Sequence, residues 1–213
     1  MRTHKTIAWT AALLMLISSS VQASTSEPET VIRKTVEEVL AIVKQDKDIQ
    51  SGNQKKLIEL VDSKVLPHFN FTHITRLAIG RGWRTATLEQ KKTLEIEFRN
   101  LLMRTYIAAF STYRDQAVNV KPANMAVDAT ETTIKTLIGH KGKPPISVNY
   151  DMEKTTDGWK VYDLSIEGVS MVTNYRSAFA EQIQKDGIDG LIKALVEKNQ
   201  AATKTAITKS VGK

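Results

Sequence analysis

VYDLSIEGVSMVTNYRSAF, residues 161–179, changes its period halfway along. Before Gly168 the chain alternates. Tyr162, Leu164 and Ile166 share one parity, while Asp163, Ser165 and Glu167 take the other. That pattern predicts a half-buried strand. After Gly168 the spacing becomes helical: Val172, Tyr175, Phe179 and Ile183 form one stripe, with Arg176 at its edge. Ser170 stands where an N-cap belongs. A strand thus feeds a helix with almost no loop, and the strand's one-sided alternation predicts an antiparallel sheet covered on one face.

Upstream, Ile146, Val148, Tyr150 and Met152 alternate with Ser147, Asn149, Asp151 and Glu153, and Asp157-Gly158 signals a hairpin into the strand above. Val118 with Val120, Met125 with Val127, and Ile134 with Ile138 predict further short strands. Earlier still the period is helical. Ser26-Glu27-Pro28-Glu29 fits a capping box with proline in the first turn. Behind it Ile32, Val36, Val39, Leu40 and Val43 share a face. Asn53 caps a second helix, with Leu57, Leu60, Val61 and Val65 inward and Pro67 as its stop. A short third helix over 74–79 ends at Gly80, and "GRGWRTATLEQ" reads as a loop followed by Thr87 and Gln90 at capping-box spacing. The fourth helix is predicted over 88–113, and two closing helices over 170–185 and 188–200. Helices, then a strand meander, then helices, make an α+β protein with its helices on the apolar face of one curved sheet.

The ends are of another kind. Arg2, His4 and Lys5 precede an apolar run over 6–17, and Val21-Gln22-Ala23 offers a small-residue cleavage site. Residues 1–23 read as a signal peptide, too short for a membrane span. Cleavage after Ala23 leaves a single domain over 24–200 and a basic tail over 201–213 that is predicted to fray. Export suits a chain without cysteine, whose core needs no disulfide. The net charge of +7 becomes +5 once Arg2 and Lys5 leave. Spread over the chain, that excess fits a mild attraction to acidic surfaces, and the lack of a basic stripe with aromatics argues against nucleic acid.

Catalytic patterns are thin. His68 and His73 are five apart rather than four, and no HExxH occurs, so no metal site is expected. Gly168-Val169-Ser170-Met171-Val172 lacks the second glycine of a nucleophile elbow. "GRGWR" lacks the lysine of a phosphate loop. Asp163 is the one candidate general base, as in small cone-shaped α+β isomerases. The apolar signal is stronger. "LLMRTYIAAFSTY", residues 101–113, has one charge, Arg104. Leu94, Phe98, Leu101 and Ala108 take one side of that helix, and Met103, Ile107 and Phe110 the other. A helix apolar all round must be covered all round, by core or by a cavity. Tyr106, Tyr150, Tyr162 and Tyr175 suit a boundary between an apolar interior and water.

The opening stretch closely resembles a signature of the MlaC family, also called the toluene-tolerance family, the periplasmic phospholipid-binding proteins of Gram-negative bacteria. "GRGWRTATLEQKKTLEIEFRNLLMRTY", residues 80–106, resembles its second signature, although Leu88 stands where proline is common. With leader, helix order and length the likeness spans nearly the whole chain. It implies an NTF2-like fold with added helices and a deep apolar pocket for acyl tails, the headgroup staying near solvent. It implies a monomer without cofactor or catalytic residues, carrying phospholipid between an outer-membrane lipoprotein complex and an inner-membrane ABC transporter complex with its membrane-anchored substrate-binding subunit. Such a pocket would lie at or beyond the roughly 1,000 Å³ top of small-molecule sites. In it, Tyr162, Leu164 and Ile166 are expected as floor, and Val172, Tyr175 and Phe179 as wall. Leu101, Leu102, Tyr106, Ile138, Val148 and Tyr150 are further candidate lipid contacts, as are Leu77 and Trp83. Arg176 and Arg84 are candidates for the headgroup or a partner. The rival readings are an enzyme of the same fold using Asp163 or another pocket carboxylate as base on a small apolar substrate, and an adaptor that carries no lipid.

Overall fold

The computed structural model describes the backbone of residues 27–112, 117–140 and 142–211. The leader, Ser26 and Tyr113 lie outside the described residues, as do the side chains of Ala108 and Phe110. The strands form one antiparallel meander: β1 (Val118–Val120), β2 (Glu131–His140), β3 (Lys143–Thr155), β4 (Gly158–Ile166) and β5 (Val169–Ser170), paired in chain order. The helices are α1 (Glu27–Gln45), α2 (Lys47–Gln50), α3 (Gln54–Lys64), α4 (Phe71–Ile79), α5 (Gly82–Thr85), α6 (Leu88–Thr112) and α7 (Met171–Val211). The protein is α+β, as its sequence predicts.

Local chemistry fixes the element ends. Asn53 Oδ1 accepts the Lys56 N–H at 3.2 Å and caps α3. Thr87 and Gln90 close a reciprocal capping box at 2.9 and 3.1 Å before α6. Pro67 sits in a 3-10 turn, Leu66–His68, that ends the α3 segment. The predicted Ser26–Glu29 capping box lies outside the described residues, because Ser26 does; Glu29 itself has other partners. Its buried carboxylate accepts from Arg33 at 2.7 Å and from the Ala123 N–H at 3.2 Å, and Arg33 also reaches the Val120 carbonyl at 3.2 Å. These bonds clamp the start of α1 to the edge of the sheet.

Two predictions need correction. Met125 and Val127 form no strand; Met125 packs on the core while Val127 is fully exposed, so only half of the alternation is used. "GRGWR" holds a single helical turn, α5. The closing helices meet at Gly187, whose φ of 71° breaks the helical path, and the backbone is then helical to Val211. Residues 201–211 contain no glycine or proline to stop it.

The side chains pack in three clusters. Ile74, Leu94, Phe98, Leu101, Phe179 and Leu191 join α4, α6 and α7. Val39, Val43, Leu57, Val61 and Ile107 join α1, α3 and α6. Ile32, Val120, Ile134, Met152, Trp159 and Val161 join α1 to the sheet.

Candidate functional site

The turn at Glu167-Gly168 begins the site. Both residues have positive φ, 50° and 80°, in a two-residue connection that pairs Ile166 with Val169. Such turns match the right-handed twist of the flanking strands. The chain therefore reverses at once and enters α7. Asp163 receives it: its Oδ1 accepts the Leu164 N–H at 2.8 Å and the Val172 N–H at 3.1 Å, and its Oδ2 accepts the Ser170 hydroxyl. Ser170 Oγ in turn accepts the Thr173 N–H at 3.0 Å, as an N-cap does. A carboxylate at a helix N-terminus is favourable electrostatically as well. Both oxygens of Asp163 are thus engaged in holding strand to helix.

Behind this turn the sheet, α1, α3 and α6 enclose a cleft. Its interior volume is about 370 Å³, and the whole space between its atoms, open mouth included, is about 1720 Å³. The enclosed part is smaller than the roughly 1,000 Å³ that the sequence resemblance implies. Ile32, Val36, Val39, Leu40 and Val43 of α1 line it opposite the sheet, as a roof. The cleft lies where the three clusters meet. Val39, Val61 and Ile107 reach it from one, Ile32 and Val161 from another, Leu102 and Met171 from the third.

Its wall is nearly free of charge. Burial holds the Tyr106 phenol above its ordinary range, with Tyr175 adding to the effect. Burial does the same for Tyr150, partly offset by its hydrogen bond to Thr136. His68 is held below the usual histidine range by burial and by the Lys160 ammonium, so it is neutral at neutral pH. Among the described lining residues the one standing charge is Arg99, which is paired with Asp62 and lies 5.9 Å from the Phe71 ring centre.

The predicted lipid contacts divide into two sets. Leu102, Tyr106, Ile138, Val148, Tyr150, Leu164 and Ile166 line the cleft. Leu101, Val172 and Phe179 lie in the α4–α6–α7 core, and Leu77, Trp83 and Tyr175 pack against it. Phe98 receives the rings of Tyr175 and Phe179 edge-on, at 5.2 and 5.0 Å. The stripe on α7 therefore faces other helices.

Tyr162 is placed elsewhere for a different reason. Asp151 pairs with Asp163 but Met152 pairs with Val161, so Tyr162 is an extra residue, a bulge. The bulge inverts the parity of β4. Trp159 and Val161 on one side of it, and Leu164 and Ile166 on the other, all face the helices, whereas Tyr162 leaves that face. Tyr162 instead stacks on His73 at 4.7 Å, whose Nδ1 lies 2.7 Å from Glu153, and Asn70 donates to the same carboxylate at 2.8 Å.

Arg176 and Arg84 do not line the cleft; both are exposed. The residues that sequence reasoning missed as wall belong to α1, α3 and the 3-10 turn, including Val36, Leu40, Val65 and Leu66. The α1 stripe was the available signal, but a stripe does not say whether its cover is core or void. Among the described residues, no group of three or more His, Cys, Asp or Glu could hold a metal ion, and no helix is long and apolar enough to cross a membrane.

Comparison with known proteins places this geometry. The family model described as MlaC protein matches residues 33–197. Toluene tolerance protein ttg2D of Pseudomonas putida is 25% identical over 201 residues, covering 89% of this chain and 92% of that one. The intermembrane phospholipid transport system binding protein MlaC of Haemophilus influenzae is 23% identical over 180 residues, covering 83% and 84%. A solved structure, the phospholipid-binding protein from Ralstonia solanacearum in complex with a phospholipid, superposes with a TM-score of 0.78 at 36% identity, over 84% of this chain and 99% of that one.

Proposed function

Because this chain belongs to the MlaC family, we propose that its cleft holds the acyl tails of a phospholipid and that the protein carries that lipid across the periplasm between outer-membrane and inner-membrane complexes. The observation that carries the proposal is the cleft itself: three apolar clusters converge on a space whose one standing charge, among the described lining residues, is already paired. Each CH₂ moved into water costs about 0.8 kcal/mol, so a diacyl lipid with roughly thirty of them faces a barrier on the order of 20 kcal/mol. A carrier removes that barrier by replacing water with wall. The 370 Å³ interior takes part of the tails, and the rest occupies the open mouth, with the headgroup near solvent. Asp163 serves as a cap in this reading, and no reaction is assigned to it.

Organic extraction of purified protein followed by mass spectrometry tests the proposal. Phospholipid close to one equivalent is expected; protein that is folded and empty after export in a Gram-negative host rejects it.

Export belongs to the same proposal. Residues 1–23 act as a signal peptide, and protein recovered from the periplasm begins at Ser24. Intact-mass measurement that found Met1 or Arg2 still present would remove the export step. The partners proposed are the outer-membrane lipoprotein complex and the inner-membrane ABC transporter complex with its membrane-anchored substrate-binding subunit, which together with this carrier maintain outer-membrane lipid asymmetry. The carrier works as a monomer.

A further inference from the structure

Seven arginines lie among the described residues, and they fall into two groups. Arg33 pairs with Glu29, Arg99 with Asp62, and Arg104 donates to the Asn199 carbonyl. Arg76, Arg81, Arg84 and Arg176 are all exposed, and their side chains have no hydrogen bond or ion pair with described residues. These four gather at one place. Arg76 is in the last turn of α4, Arg81 and Arg84 flank Gly82 and Trp83 in α5, and Gly80 joins the two helices. A Cβ on Gly80 would lie 3.5 Å from Arg176 Nε and 3.7 Å from its Nη2, so the Arg176 guanidinium rests over that joint from α7.

Among the described residues no carboxylate forms an ion pair with the cluster. The sequence has no acidic residue between Asp62 and Glu89. Of the acids on adjoining helices, Glu95 accepts from Thr72, Asp189 from Gln90 and Asp186 from Gln182. Glu89, in the first turn of α6, is the single acid of the stretch. At the edge of the patch Trp83 is half-buried with Lys91 5.5 Å over its ring, and Leu88 is 78% exposed. Neither Arg76, Arg81, Arg84, Arg176, Trp83 nor Leu88 lines the lipid cleft.

We infer that this α4–α5 elbow is a docking surface for a carboxylate-bearing protein surface. The choice of cation favours a protein over a bilayer. Lysines outnumber arginines 21 to 9 in the chain, yet residues 65–88 hold three arginines and no lysine. An anionic bilayer attracts clusters of either cation, whereas protein interfaces are enriched in arginine and depleted in lysine, and a guanidinium fork matches a carboxylate in paired geometry. Leu88 alone is a poor membrane wedge, but arginine, a tryptophan and one exposed leucine make up the mixture found at protein interfaces. Because the patch is separate from the cleft, the protein can dock while loaded. The inference rests on the carrier reading above.

The test uses the full mature chain, wild type and with Arg81→Gln, Arg84→Gln and Arg176→Gln combined. The probes are the purified periplasmic domain of the transporter's membrane-anchored substrate-binding subunit, the purified outer-membrane lipoprotein, and vesicles of phosphatidylcholine with or without phosphatidylglycerol. Wild type should bind at least one protein probe with an affinity that falls as salt rises. The triple variant should lose about tenfold or more of that affinity, and the matching Arg→Lys triple should recover only part of it. Melting and extracted phospholipid should stay at wild-type levels in both. Unchanged affinity in the Gln variant overturns the inference, as does a wild type that binds neither protein. Loss confined to the phosphatidylglycerol vesicles overturns it in favour of an anionic bilayer. Lipid-free wild type would instead count against the carrier reading, because extraction is measured independently of docking.

Discussion

Leu164→Asp should leave the protein almost free of phospholipid. Leu164 lines the cleft and packs at the same time against the α4–α6–α7 core, close to the cap where β4 hands over to α7. Among the described lining residues a carboxylate there has no standing cation to meet except Arg99, which is already paired with Asp62. Kept charged, it faces acyl chains without a partner; kept neutral, it still places a polar group against hydrocarbon. Either state costs about 2–5 kcal/mol, enough to cut lipid retention by tenfold or more. The same change lowers stability, so melting and lipid content must be measured on one sample. Ser165→Asp is the control, since it alters the neighbouring residue of opposite parity on the strand. It should melt normally and stay loaded. A folded Leu164→Asp protein with full lipid content would show that the tails lie elsewhere.

Phe98→Ala should do the reverse, with a large loss of stability and little effect on loading. Phe98 is fully buried at the centre of the helical core, with Tyr175 and Phe179 packed edge-on against it. Removing such a ring costs about 3–5 kcal/mol, because its neighbours cannot close the space. Denaturant melts of lipid-stripped protein measure that cost, and the m-value should stay unchanged. Extraction from the folded fraction then reports loading. If lipid falls in proportion to stability, the helical core and the cleft are one structure, and the separation of Tyr175 and Phe179 from the tails is wrong.

These two residues also mark where the sequence is legible. Element ends are written locally. Asn53, Thr87 with Gln90, and Ser170 each satisfy backbone donors within three residues, so they can be read without tertiary knowledge. The parity of β3 is equally plain, and Val148 and Tyr150 line the cleft as that parity requires. β4 misleads at Tyr162, because one extra residue reverses the parity and the letters carry no sign of it. The α7 stripe misleads differently. Val172, Tyr175 and Phe179 are correctly recognised as a covered face, but periodicity cannot say that the cover is Phe98 and its neighbours rather than lipid. For the same reason the spacing of Val36 and Leu40 on α1 marks a helical face and does not mark a roof. That Arg176 has no ion pair among the described residues is beyond sequence altogether, since the acids of its own helix find other partners, Asp189 in Gln90 of α6 and Asp186 in Gln182.

The meeting of three clusters at one cleft has a thermodynamic side. Occupancy and folding are linked by mass action: a ligand held only by the native state adds RT ln(1 + [L]/Kd), about 2.7 kcal/mol at a hundredfold excess over Kd. On the carrier reading a guest in the cleft would meet residues of every cluster and so add to the contacts, such as those of Phe69 with two of them, that an emptied protein keeps. Two preparations of one sequence would then melt at different temperatures according to the lipid each had picked up.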